Sequence, residues 1–137
     1  PPFYPDKLES GTLSFPAIVS LFEGTLYARL KMKSDAEQVF RLTEFLCEGL
    51  RSNPRLTLLS RPNPCGIVAF SHREKQSEEV AALLSEKFSV AVRGGLHCAP
   101  LMHRALGTGE DGAVRASLSA FNTREEASVL VRAMRRL

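Results

Sequence analysis

A histidine and a cysteine stand side by side at His97-Cys98, after Arg93-Gly94-Gly95-Leu96 and before Ala99-Pro100-Leu101-Met102. A thiol that precedes a helical turn and lies close to an arginine or a protonated histidine has its anion stabilised, which raises the fraction able to attack an electrophile. Cys98 therefore reads as a candidate nucleophile, His97 as its candidate proton-transfer partner and Arg93 as a neighbouring cation. On these residues alone a packed, inert thiol remains open, because free cysteines commonly fill cores. Cys47 and Cys65 are expected to be such packing residues. Three cysteines at wide spacing make neither a disulfide framework nor a paired zinc knuckle, and His97, Cys98 and His103, even with His72, lack the spacing of a helical His-x-x-x-His site. No metal is expected.

These side chains need a scaffold, and the patterning supplies one. Residues 113–120 alternate, so Val114, Ala116 and Leu118 should face a core while Arg115 projects the other way from a strand. The apolar run 56–59 and the β-branched stretch 66–70 read as paired strands, and 90–92 as a further brief strand ended by Gly94 and Gly95. Pro16 suits the first turn of a helix carrying Ile18, Val19, Leu21, Phe22 and Leu26. Ser34 with Glu37 has the form of a capping box opening a second helix through Val39, Leu42, Leu46 and Leu50. Ser77, Glu78 and Glu79 open a third, and Thr123 with Glu126 opens a last one that buries Ala127, Leu130, Val131 and Met134. The order predicts an α+β fold: a small, mainly antiparallel sheet of three to four strands packed against helices, with an N-terminal arm and helix. The division expected is 1–33 for arm and helix and 34–137 for the domain with the cysteine loop.

Three blocks carry a family likeness: Arg-x-Gly-x-x-Cys-Ala-Pro ending at Pro100, Gly-Ala-Val-Arg-Ala-Ser from Gly112, and Phe-Asn-Thr-x-Glu-Glu from Phe121. Their order and spacing resemble the C-terminal signature of cysteine desulfurases, in the branch of class V aminotransferase-like enzymes that includes group II desulfurases and selenocysteine lyases. Residues 8–16 are similar to the family's Glu-Ala-Gly-Thr-x-Asn-x-Pro segment, with serine at Ser14 where the family has asparagine. The resemblance implies that Cys98 attacks the sulfur of substrate cysteine held on pyridoxal phosphate, giving alanine and an enzyme persulfide. It implies that Arg115 grips the substrate carboxylate, for which a planar two-pronged donor is suited, with Arg93 assisting. Thr12, beside Gly11, would contact the cofactor phosphate of the neighbouring subunit in a homodimer. The family's more common His-His-Cys is Leu96-His97-Cys98 here.

Lys7, Lys31, Lys33, Lys75 and Lys87 all lie outside the family's cofactor-lysine context. The resemblance thus implies the C-terminal part, mostly the small domain, of the enzyme, joined through 1–33 to a large domain carrying the cofactor. The isolated chain is expected to hold no covalent cofactor and to be inactive. The substrate implied is L-cysteine or L-selenocysteine, with a sulfur-acceptor protein docking near Cys98.

Composition sets the outer limits. With 44% hydrophobic and 24% charged residues the chain can bury a core. No apolar run approaches the ~20 residues of a membrane span, and the Pro-Pro-Phe-Tyr-Pro start lacks signal-peptide character, so a cytoplasmic location is the expectation. A net charge of +3, spread along the chain apart from Arg132, Arg135 and Arg136, gives little support to a nucleic-acid partner, and none is expected. The alternatives are another class V aminotransferase or lyase, or a regulatory or RNA-binding module using its arginines with Phe3, Tyr4 and Phe121; these aromatics are not interleaved with basic residues as base stacking requires.

Overall fold

A computed structural model describes residues 2–8 and 11–137; Glu9 and Ser10, within the family-like segment 8–16, lie outside the described residues, as does Pro1. The chain divides into two compact units, Pro1–Lys33 and Ser34–Leu137. In the first, a 3-10 turn at Asp6–Leu8 precedes the start of helix α1 (Phe15–Arg51), and the Ser14 carbonyl accepts the Ile18 amide at 3.1 Å.

Helix α1 corrects one expectation. Residues 15–51 form a single helix, so the Ser34 and Glu37 pattern sits inside it rather than at a start. The reason lies just upstream: from Thr25 to Lys33 there is neither glycine nor proline, so nothing stops the first helix before Ser34.

The second unit is an α+β layer structure. Strands β1 (Leu56–Leu58), β2 (Ile67–His72) and β3 (Val114–Ser117) form one antiparallel sheet in the order β1-β2-β3, with Leu58 opposite Phe70 and Ala69 opposite Arg115. Helix α2 (Ser77–Phe88), the short α3 (Pro100–Leu106) and α4 (Arg124–Arg136) complete it. One apolar core gathers Leu46 and Leu50 of α1, Phe70 of β2, Leu84 of α2, Val114 of β3 and Met134 of α4, all buried. Each such side chain contributes about 1.5–3 kcal/mol on leaving water. At the start of α4, Thr123 Oγ1 accepts the Glu126 amide at 3.2 Å while a Glu126 carboxylate oxygen accepts the Thr123 amide at 2.9 Å. The bond from the Thr123 amide, and then that from the Asn122 side chain, hold the Glu126 carboxyl below its ordinary range.

The expected strand at 90–92 does not form. Helix α2 ends with Ser89 in the left-handed region, and the Val90 amide donates back to the Leu84 carbonyl at 3.1 Å. This helix-end motif takes the donor that a ladder would need. Past this segment the chain pairs with β3 at the bridge between Arg93 and Arg115.

His72 closes β2 and predicts a pH effect. Its Nδ1 accepts the Glu74 amide at 3.1 Å, so the proton of the neutral ring sits on Nε2, which is buried without a hydrogen-bond partner. Burial is the largest cause pushing its pKa below the ordinary 6.5, against the raising effect of Glu74. A group so depressed stabilises the fold above its unfolded value and loses that contribution as pH falls towards the folded value. His72→Asn keeps an acceptor for Glu74 and does not titrate. The stability of the wild type relative to this variant, measured by urea unfolding, is expected to fall between pH 7 and 5; a difference independent of pH would contradict it.

Candidate functional site

Cys98 is exposed on a tight turn whose two central residues, His97 and Cys98, both have positive φ, 52° and 59°. The Ala99 amide closes the turn onto the Leu96 carbonyl at 2.8 Å. This is the type I′ arrangement, in which asparagine and glycine are the usual occupants. Each side-chain-bearing residue held there costs about 1–2 kcal/mol, so the surroundings must impose the conformation.

Those surroundings can be named. Ser77, at the first turn of α2, accepts the Gly95 amide on its hydroxyl at 2.9 Å and donates that hydroxyl to the Asp111 carbonyl. The Ser77 amide in turn donates to an Asp111 carboxylate oxygen at 2.9 Å. A second bridge joins Gly95 to Gly112, where the Ala113 amide donates to the Gly95 carbonyl at 3.2 Å. On the other side, Arg93 and Arg115 exchange both backbone bonds, at 3.1 and 2.7 Å. The Cys98 turn is therefore tied at its base to α2 and to β3, and runs directly into α3, where Pro100 occupies the first turn.

His97 and His103 complete the arrangement. The half-buried His97 places Nε2 at 3.1 Å from the Arg93 carbonyl oxygen. A carbonyl only accepts, so in the neutral ring Nε2 carries the proton and Nδ1 alone offers a lone pair. The pKa of His97 is lowered, first by burial and then by the charges of Arg115, His103 and Arg93, against the raising effect of its bond to Arg93. The neutral form is the resting one. His103, buried on α3, packs its ring edge-on to His97 with centroids 5.6 Å apart and sets Nδ1 at 2.8 Å from Thr108 Oγ1.

Arg115 is half-buried on β3, and its Nε is buried with no hydrogen-bond partner. An unsatisfied donor of this kind costs about 1–3 kcal/mol, and it suits an anionic acceptor from outside the chain. Arg93 is exposed. In the first unit Gly11 has φ +91° with no atom within 4 Å of where a Cβ would stand, and Thr12 is exposed. Of the second unit's lysines, Lys75 is paired with Glu79 at 3.0 Å and Lys87 sits in the last turn of α2.

Among the other cysteines, Cys47 is fully buried and burial pushes its thiol pKa up, with Arg51 opposing. Cys65 differs from the expectation of a packed thiol: it is exposed beside Gly66, in a turn held by Asn63. Among the described residues, no group of three or more histidine, cysteine, aspartate or glutamate side chains could hold a metal ion, and no helix is long and apolar enough to cross a membrane. Sequence reasoning missed Ser77, Asp111 and Thr108 as supports of the cysteine turn, and took His103 only as a metal candidate. A serine at a helix start and a threonine after a helix carry no local mark of the distant groups they bind.

The chain is similar to known proteins along nearly its whole length. Residues 3–130 match the family described as aminotransferase class-V. A cysteine desulfurase of Shigella flexneri is 33% identical over 135 residues, 97% of this chain, and one from Klebsiella pneumoniae (strain 342) is equally similar. The chain spans about a third of the length of these relatives, 32% in each case. Among solved structures, the apo cysteine desulfurase of Thermococcus onnurineus NA1 superposes with a TM-score of 0.81 at 29% identity, over 96% of this chain and 33% of that one. A cysteine desulfurase of Escherichia coli in an S-sulfonic acid form shares the fold, with a TM-score of 0.80 at 23% identity, over 96% of this chain and 32% of that one. With the motif blocks, the sheet order and this match across nearly all its residues, the chain belongs to the class V aminotransferase family.

Proposed function

We propose that this chain is the C-terminal part, mostly the small domain, of a pyridoxal-phosphate-dependent cysteine desulfurase that takes L-cysteine or L-selenocysteine. The observation that carries the reading is the exposed Cys98, held in a left-handed turn that the Arg93 bridge ties to Arg115. Thr12 and Gly11 would meet the cofactor phosphate of a neighbouring subunit in a homodimer. The cofactor lysine would come from sequence that the relatives have and this chain does not match. Residues 1–33 would lead from that large domain into the small domain at 34–137. Three free thiols suit a reducing cytoplasm.

Arg115 would bind both oxygens of the substrate carboxylate, filling its unpartnered Nε, with Arg93 adding positive charge. The Cys98 thiolate then attacks the substrate sulfur: an S–S bond forms, the Cβ–Sγ bond breaks, and its electron pair stays with the carbon fragment. Pyridoxal phosphate, when bound, supplies the electron sink for that cleavage. A proton added at Cβ completes alanine, and the sulfur remains on Cys98 as a persulfide. His97 Nδ1 is the atom able to take a proton from the thiol, since Nε2 is committed to Arg93. The exposed persulfide would pass to an acceptor protein docking at this turn.

The test is to add L-cysteine to the cofactor-loaded full-length protein, quantify alanine and map added sulfur by mass spectrometry. One added sulfur on the Cys98 peptide per alanine, before acceptor is supplied, supports the reading; alanine without Cys98 persulfide overturns it. In the same protein Arg115→Lys, which keeps the charge and loses the fork, is expected to lower kcat/KM for cysteine about 100-fold, mainly through KM. An unchanged KM would remove Arg115 from the carboxylate.

A further inference from the structure

The contacts around Cys98 run in an unbroken series: Thr108 Oγ1 to His103 Nδ1, the His103 ring to the His97 ring, His97 Nε2 to the Arg93 carbonyl, and the Arg93 backbone to Arg115. His97 has only one hydrogen bond of its own here, and its backbone occupies the left-handed region that its side chain disfavours. A ring with one bond can still rotate about it. The His103 ring, itself buried and bonded to Thr108, packs edge-on against it.

From this geometry we infer that His103 is a positioning residue for Cys98: its ring, steadied by Thr108, holds His97 on the Arg93 carbonyl and so keeps the cysteine turn in its left-handed form, in register with Arg115. The inference rests on the reading of Cys98 as the sulfur-accepting nucleophile. It goes beyond that reading by assigning a role to a residue that the reading leaves without one. Three properties fit the task. His103 lies on α3, the element into which the cysteine turn runs. Its own helix end is fixed, because the Thr108 amide donates to the His103 carbonyl at 3.1 Å. Its ring, not its basicity, makes the contact with His97.

Positioning by a ring and acid–base work by an imidazole respond differently to substitution. In the cofactor-loaded full-length protein, His103→Phe keeps a ring against His97, while His103→Asn keeps a polar group for Thr108 and removes the ring. Amide hydrogen exchange is followed for a peptide covering residues 96–103 and for control peptides from β1 and β2. His103→Asn is expected to speed exchange in 96–103 about tenfold with the control peptides unchanged, and to lower kcat about tenfold with KM within about twofold. His103→Phe should restore both to within about threefold of wild type. Unchanged exchange in 96–103, equal acceleration in the control peptides, or failure of phenylalanine to outperform asparagine would each overturn the inference. Should His103→Asn not fold, His103→Leu fills the buried space without a ring and carries the same expectations. Exchange does not depend on turnover, so a wild type that releases no alanine would defeat the desulfurase reading while leaving this inference to be decided by exchange.

Discussion

Cys98→Ala is expected to abolish alanine release from L-cysteine in the full-length enzyme, a loss of about 1000-fold or more, because no other group replaces a missing nucleophile. Alanine keeps a Cβ at φ 59°, so the backbone cost of the turn is unchanged and the loss is chemical rather than structural. Cys65→Ala is the control: its thiol is also exposed, but it lies in the turn before β2. Its rate should stay within about twofold of wild type. Cofactor absorbance should be alike in all three proteins, since neither thiol holds the cofactor. Alanine release by Cys98→Ala at the wild-type rate would move the enzyme to a different class V reaction.

Gly112→Ala is expected to lower stability strongly. A Cβ there would stand 2.1 Å from the Gly95 carbonyl oxygen and 2.3 Å from its carbon, and the residue has φ +71°. Both obstacles are backbone, so relief requires the Gly95 bridge to open, and a cost of about 3–5 kcal/mol is expected. Gly109→Ala supplies the comparison, with φ +57° but no atom within 4 Å, so only the conformational term of about 1–2 kcal/mol applies. Urea unfolding of both variants separates the two causes. Equal costs would mean that the close approach of Gly95 to Gly112 contributes nothing. If the bridge supports the cysteine turn as drawn, Gly112→Ala also lowers activity in the fraction that remains folded.

Two identical local patterns show how far the sequence could be read. Thr123 with Glu126 and Ser34 with Glu37 both have capping-box form, yet only the first starts a helix. Before Thr123 the chain is already turned, with Asn122 Oδ1 accepting the Ser119 amide at 2.8 Å. Before Ser34 a strong run of helix formers continues without a breaker. A capping pattern satisfies the first amides of a helix; it does not stop the helix before it. The segment 90–92 teaches the same lesson for strands, since its β-branched residues favour pairing but its first amide is claimed by the end of α2.

The sequence alone determined the types of chemistry available and where they stand in the chain: a thiol beside a histidine at 97 and 98, an arginine alternating outward at 115, and the three blocks that mark the family. Those properties are local, set by side-chain chemistry, periodicity and spacing, and they survive without knowledge of the fold. The tertiary structure decided which residues hold the thiol. Ser77 and Asp111 lie 34 positions apart and meet through hydrogen bonds below the cysteine turn. Gly112 approaches the Gly95 backbone because it has no side chain to keep them apart. The His97–His103 packing depends on a turn whose left-handed backbone no propensity would favour. Contacts between distant segments, and conformations that oppose local preference, are fixed by the packed whole, and a linear pattern carries no record of them.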